Sequence, residues 1–406
     1  MTDTKNVTYK VYTSFEDLNN TREEWDDFVL NTSADIFLTF DWCKVWWHYY
    51  GKGRDLRIYI FRSNNDIVGI MPFFFEKIWL LFISIRAGKI IGSDFTLAQF
   101  SLPIHEEYYD LCLHSLFEDL KTVKWHILRI GPLAGLSASA QANLFENAFI
   151  KTTSSDKNIT TRDGMVHTYY KLQPTWEKYH SSLKRKQRQE ISHKYNLLER
   201  TFPGSISNLK TIIADEMNVD SFYKDFVNMH QDYWNSLGKL GHFGDWPDAY
   251  KFHQTMAKIQ STRNRLRLIR VSLNNEVLGY EYAYKFGNKY FAILNARAQG
   301  GNYDKIGLGS IIFSEYAKVA ISEKVTYIDS MRGKYDYKLK LGGALFTIKN
   351  IYITKKSISN RLRINIFYKS AKLLNLLYYR IWFLRVAHKL PFRRSPLWKI
   401  WIRANL

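Results

Sequence analysis

With 406 residues the chain exceeds what one compact core usually serves, so two domains are expected. An apolar fraction of 46% with 16% aromatics excludes general disorder, and two cysteines, Cys43 and Cys112, are too few for a disulfide framework. The formal charge of +20, from 58 basic against 38 acidic residues, favours anionic partners: nucleic acid, acidic lipid, or phosphate-bearing ligands.

Taken in order, the stretch MTDTKNVTYKVYTSFEDL has no apolar region of a signal peptide, and a reducing, cytoplasmic setting is expected. Residues 7–13 predict a strand, and residues 14–32 a helix with Ser14 as N-cap. FDWCKVWWHYYG predicts a second helix. LRIYIFRSNNDIVG, 56–69, reads as a hairpin about Asn64-Asn65, since asparagine tolerates the positive φ of two-residue hairpin turns. The run IWLLFISI, 78–85, is far short of the ~20 residues that span a bilayer and reads as a buried strand or an interfacial segment. A helix over EYYDLCLHSLFEDLKT and a strand over HILRIGP follow.

This order then largely repeats. Residues 175–200 predict one charged helix, with Leu183, Ile191, Tyr195 and Leu198 as a buried stripe and Arg185, Lys186, His193 and Arg200 away from it. Helices over 221–238 and 247–260 lead to a second hairpin, LRLIRVSLNNEVLG, then strand KYFAILNARA, helix 307–323 and strand VTYIDSM. YDYKLKLGGALFTIKNIYIT is expected to close the sheet. The hairpins lie 210 residues apart (266 minus 56) in similar surroundings, which points to duplication rather than chance. The expected segments are 1–172, 173–354 and a basic helical tail, 355–406. In the tail Phe367, Leu374, Leu377, Ile381 and Leu384 share one face, with Lys369, Lys372 and Arg380 opposite. That helix either packs on the body or meets an anionic membrane surface, the latter giving peripheral contact at the inner membrane face.

No HExxH, GxSxG, P-loop or Rossmann GxGxxG occurs, and the eleven histidines are scattered, so zinc chemistry and serine hydrolysis are not expected. No nucleic-acid recognition motif is present either.

Three stretches carry a family resemblance: FLTFDWCKVWWHYYG with LRIYIFRSNNDIVGIMPF, SSLKRKQRQEISHKYNLLER, and VTYIDSMRGKYDYKLKLG. Over roughly residues 10–350 the chain resembles the CelD-like branch of GNAT acyltransferases, which carry tandem GNAT-like domains as the FemAB transferases do. The resemblance implies an α+β fold of two such domains, each a mostly antiparallel sheet flanked by helices. It implies acyl transfer from acetyl-CoA or another acyl-CoA to an amine of a sugar, glycan or cell-envelope precursor, without a metal. A FemAB-type alternative would take the acyl group from aminoacyl-tRNA, the one case in which nucleic acid is expected. A third reading is a non-catalytic scaffold that binds an anionic surface.

The residues themselves offer two places for this chemistry. The loop Lys305, Gly307, Leu308, Gly309, Ser310 opens a helix, whose N-terminus offers unpaired N–H groups to a diphosphate. Asp304 stands where the family's loop carries Arg or Gln, and a glycine-rich start chosen for packing explains the loop equally. The second place is the block Asp329–Lys338 after a strand. Asp329 is suited to hold the amine or take its proton, Arg332 to bind a phosphate or carboxylate, and Lys338 to bind an anionic group. Tyr335 or Tyr337 would donate to the leaving thiolate, as the resemblance implies. The alternative is an Asp–Arg pair stiffening the turn at Gly333. Arg185 and Lys186 are candidates for an anionic substrate, against a plain solvated basic face.

Overall fold

The computed structural model describes residues 6–96, 98–134, 138–152, 156–389 and 397–406. Its strands are β1 (Thr8–Tyr12), β2 (Asp55–Ser63), β3 (Asp66–Leu80), β4 (Ile83–Ile90), β5 (Ile127–Leu133), β6 (Lys157–Lys171), β7 (Leu209–Ile213), β8 (Leu266–Leu273), β9 (Glu276–Phe286), β10 (Lys289–Arg297), β11 (Tyr327–Arg332) and β12 (Ala344–Lys355). The chain groups into two compact units, Met1–Gly164 with Thr347–Leu406, and Met165–Phe346.

Both units have one sheet plan. In the first, β1 to β4 form an antiparallel meander, β5 runs parallel to β4, and β12 is antiparallel to β5. In the second, β7 to β10 form the meander, β11 runs parallel to β10, and β6 is antiparallel to β11. The hairpin turns match in detail: φ is 50° and 73° at Asn64 and Asn65, and 50° and 69° at Asn274 and Asn275. Each hairpin also slips register once, at Phe61/Arg62 and at Val271/Ser272, again 210 residues apart (271 minus 61). A bulge kept at one position in two hairpins argues for common descent more strongly than a shared turn.

The first unit buries Trp25, Trp42 and Trp46 beside its sheet, together with a cluster of charges. The Arg54 guanidinium bonds both oxygens of Asp94 at 3.1 and 3.0 Å and lies 3.2 Å from Glu76. Lys89 Nζ reaches Glu76 at 2.7 Å and Asp94 at 3.3 Å. Arg403 joins Glu76 at 2.5 Å, and Lys89 also donates to the Arg403 carbonyl at 2.8 Å. The tail is therefore part of this unit. Its helices Ile358–Leu374 and Leu397–Ala404 pack Ile364, Phe367 and Ala404 against Ile78, Leu80, Ile85 and Ile127.

Four local expectations change. Residues 14–32 form a tight 3-10 stretch, Glu16–Thr21, before helix Arg22–Asn31, and Ser14 Oγ accepts from the Glu16 N–H at 3.1 Å as a turn rather than a cap. The helix read over 175–200 is two, Trp176–Ser182 and Arg185–Thr201, because Leu183 turns extended and buries its side chain in the core. The stretch read as a closing strand begins with a helical turn, Asp336–Lys340, and strand resumes only at Ala344. In the tail Phe367 is buried, yet Leu377, Ile381 and Leu384 are 54%, 42% and 53% exposed. From Asn375 to Val386 the turns widen to π type, so a stripe laid out at 3.6 residues per turn no longer faces the core.

Candidate active site

The second unit contains the functional candidates, and its geometry starts with β10 and β11. They pair in parallel only at Lys289↔Tyr327, Tyr290↔Ile328 and Phe291↔Asp329. Beyond that point β10 continues along β9 to Arg297, while β11 shifts register against β6 between Asp329 and Arg332. Parallel strands end at the same sheet edge, so the loop after β10 and the block after β11 open on one side. Met331, a non-glycine residue at φ 57°, marks the strain where β11 leaves the sheet.

Asp329 is buried, and its Oδ1 accepts from the Met331 N–H at 2.7 Å. Lys338 is buried as well, its Nζ donating to the carbonyls of Ser330 and, at 3.3 Å, Arg332. Burial pulls the Lys338 amine down to about 8, although the carboxylates of Asp329 and Glu281 act against that shift. Arg332 is exposed at the end of β11. Tyr335 and Tyr337 stack at 5.9 Å, each about half exposed, and the Tyr335 ring lies under Lys338 Nζ at 5.4 Å. Gly333, at φ 111°, is required here: a Cβ would stand 2.1 Å from the Tyr335 ring. The Tyr337 hydroxyl is pushed up by desolvation first and then by Glu281, so it stays protonated.

Glu281, on β9, is the functional candidate that sequence reasoning missed. It is 6% exposed, and burial pushes its carboxyl up to about 8, with Lys338 and a hydrogen bond from Asn295 pulling the other way. Asn295 is exposed on β10 and thus connects the buried acid to the open side. Nearby, the fully buried Tyr316 Oη has no hydrogen-bond partner among the described residues, while the charges of Glu281 and Asp329 both reach it. The signal in the sequence was slight: a lone carboxylate within YEYAY, flanked by tyrosines that β9 turns to the opposite face.

The glycine loop has the local form a phosphate site needs. Gly307 is left-handed at φ 76° and starts helix Leu308–Ser322, and space is open around Gly309. A Cβ on Gly307 would lie 3.4 Å from Lys194 Nζ, so a cation stands at this helix start together with exposed Lys305. Leu308 is buried and serves packing, while Ser310 donates its N–H to the Gly307 carbonyl at 3.1 Å. The Asp304 carboxylate is engaged behind the loop, accepting from the Gly300 N–H at 3.1 Å, which explains an acid in that position. Arg185 and Lys186 are exposed at the start of their helix. Gln187 Nε2 donates to the Leu339 carbonyl at 2.7 Å, which ties that helix start to the Asp329–Lys338 block. Among the described residues no group of three or more His, Cys, Asp or Glu could hold a metal ion.

Residues 185–339 match the family model described as an acetyltransferase (GNAT) domain. That match lies within the second unit, and together with the repeated sheet plan it gives the chain a tandem GNAT-like fold. Among solved structures it is similar to FemX, with a TM-score of 0.60 and 11% identity over 88% of this chain and 99% of FemX. It is also similar to a conserved protein of unknown function from Bacteroides thetaiotaomicron VPI-5482, with a TM-score of 0.51 and 13% identity over 86% of this chain and all of that one. At such identities the likeness concerns the fold alone. No curated protein matches the sequence.

Proposed function

We propose that the second unit transfers an acyl group from a thioester to an amine, in the opening between β10 and β11. The observation that carries the reading is the burial of Glu281 and Lys338 in the core of this unit. It pushes the carboxyl up and pulls the amine down, each to about 8, while their opposite charges act on one another. An acceptor ammonium must lose a proton before its nitrogen attacks, and a base of pKa near the operating pH does this best. Glu281, reached through Asn295, is that base. The neutral amine then attacks the thioester carbonyl, the C–N bond forms, and the C–S bond breaks as the oxyanion collapses. The Lys338 ammonium gives its proton to the leaving thiolate, whose alkyl thiol is comparable to that of cysteine (free pKa ~8.5). The neutral Lys338 amine takes the second proton from the attacking nitrogen, while the Tyr337 hydroxyl supplies a hydrogen bond. Asp329 holds Lys338 in its charged form, so the role of proton acceptor passes from Asp329 to Glu281.

An acyl-CoA is the donor the loop suits. Lys194, Lys305 and the N–H groups of Leu308 and Gly309 would hold its diphosphate, and bound there it supplies the thioester. The acceptor class we propose is the amine of a sugar or cell-envelope precursor. Calorimetry with acetyl-CoA tests the donor: wild type binds, and Gly309→Trp abolishes binding. No heat with wild type sinks the CoA reading, and binding that survives Gly309→Trp removes the phosphate from this loop. Thiol release from acetyl-CoA with a panel of amino sugars then tests the acceptor.

Aminoacyl-tRNA as the acyl donor is a second reading, favoured by the exposed Lys184, Arg185 and Lys186 beside the Leu339 contact. It expects tRNA binding that falls steeply as salt rises.

A further inference from the structure

The tail of the first unit has a feature that acyl transfer in the second does not use. A cavity of about 450 Å³ opens among Trp79, Leu81, Leu373, Leu377, Trp382 and Leu397, within the range of about 300–1,000 Å³ typical of small-molecule pockets. Its lining is mostly apolar, with the Ser370 and Tyr378 side chains bringing hydroxyl groups. Around its mouth the surface stays apolar, for Leu81 is 70% exposed and neighbouring Phe82 is 82% exposed. Residues 355–406 contain thirteen Lys and Arg and not one Asp or Glu. Lys369, Lys372 and Arg380 are carried by the same helical stretch that supplies the lining residues Ser370, Leu373, Leu377 and Tyr378. All three are exposed and form no ion pair among the described residues. On β3, Lys77 Nζ lies 4.4 Å from the Trp79 ring, so cation and indole share the rim.

We propose that this face docks on the surface of an anionic phospholipid bilayer, with one acyl chain entering the cavity and the tail cations meeting the headgroups. Exposed Trp, Phe and Leu beside Lys and Arg is the composition of a segment that lies in a membrane interface. The charge argues against the other occupants. A second copy would bring the same cations face to face across a two-fold axis. A nucleic acid would satisfy the cations but leave an apolar cavity unfilled. No helix among the described residues is long and apolar enough to cross a membrane, so docking is peripheral.

The test uses the full chain without acyl donor, so its result is separate from that for the proposed activity. Vesicles of equal parts phosphatidylserine and phosphatidylcholine should sediment the protein at low salt, and pure phosphatidylcholine should not. Brominated acyl chains in the anionic vesicles should quench tryptophan fluorescence, since Trp79 and Trp382 line the cavity. The double variant Phe82→Ser, Leu377→Ser changes two exposed residues and should weaken vesicle binding roughly tenfold or more. Ser370→Phe should fill the cavity and reduce quenching by the brominated chains. If a variant does not fold, the quenching of wild type decides. Absence of binding to anionic vesicles, binding without quenching, or a vesicle-free dimer that the double variant dissociates would each overturn the proposal.

Discussion

Replacing Glu281 by Gln separates catalysis from stability, because the two should move in opposite directions. Glutamine keeps the shape and the contact with Asn295 but cannot take a proton. Loss of a general base costs about 10²- to 10⁴-fold in rate, or roughly 3–5 kcal/mol of transition-state stabilisation. Stability follows from the raised carboxyl. Its folded pKa of about 8 lies above its ordinary value of 4.5, so between those values the unfolded chain releases a proton that the folded chain keeps. Glu281 therefore destabilises the fold progressively as pH rises from 4.5 to about 8. At pH 7 that penalty is about 3 kcal/mol, which Gln removes. Urea unfolding at several pH values, beside thiol-release kinetics, measures both. The variant should be slower and, near neutral pH, more stable, with the stability difference vanishing toward pH 4.5. An active variant would refute the catalytic role, and one less stable at pH 7 would refute the picture of an acid kept neutral by burial.

Other consequences are as direct. The rate should follow a narrow bell centred near pH 8, with Glu281 giving the rising limb and Lys338 the falling one. Lys338→Arg should lose the falling limb in a pH–rate profile, since arginine does not titrate in that range. Glu76→Gln in the first unit leaves Arg54, Lys89 and Arg403 short of a buried carboxylate. It should cost about 3–5 kcal/mol in denaturant unfolding, and a loss below about 1 kcal/mol would contradict the network's role. His167 and His253 are held down to about 3 by burial, against 6.5 ordinarily, so only the unfolded chain binds their protons between those values. Stability should thus fall as pH drops below 6.5, by about 1.4 kcal/mol per pH unit for each histidine. His253→Gln should make that fall shallower in acid unfolding curves.

The parts of the fold written in local chemistry were legible in the sequence. Asn64-Asn65 and Asn274-Asn275 announced two turns that need positive φ, and the spacing of 210 carried over to the bulges and the strand order. The break at Leu183 was not legible, because its cause is a distant core that captures one side chain. Of the site, the Asp329–Lys338 block stood out by its motif, whereas Glu281 did not. Strand periodicity puts Glu281 on the face opposite Tyr280 and Tyr282, where a carboxylate ordinarily meets water. The packing of helix Leu308–Ser322 against β9, where Ala283 shares one core with Phe313, Tyr316 and Ala317, covers that face and leaves Glu281 buried. The tail stripe misled for the converse reason: its spacing was read at 3.6 residues per turn, and the backbone widens at Asn375.

The Lys89 contact with the Arg403 carbonyl has a practical side for anyone cloning this protein. The final helix resembles a dispensable basic extension, and a designer seeking better crystals or lower background adsorption would trim it. Trimming before Arg403 withdraws one carbonyl from a fully enclosed ammonium and one guanidinium from a fully enclosed carboxylate. Such a product should be recovered largely as insoluble material, and the error would be blamed on the expression host. Adsorption is better reduced by neutralising Lys369, Lys372 and Arg380, which lie outside that enclosure.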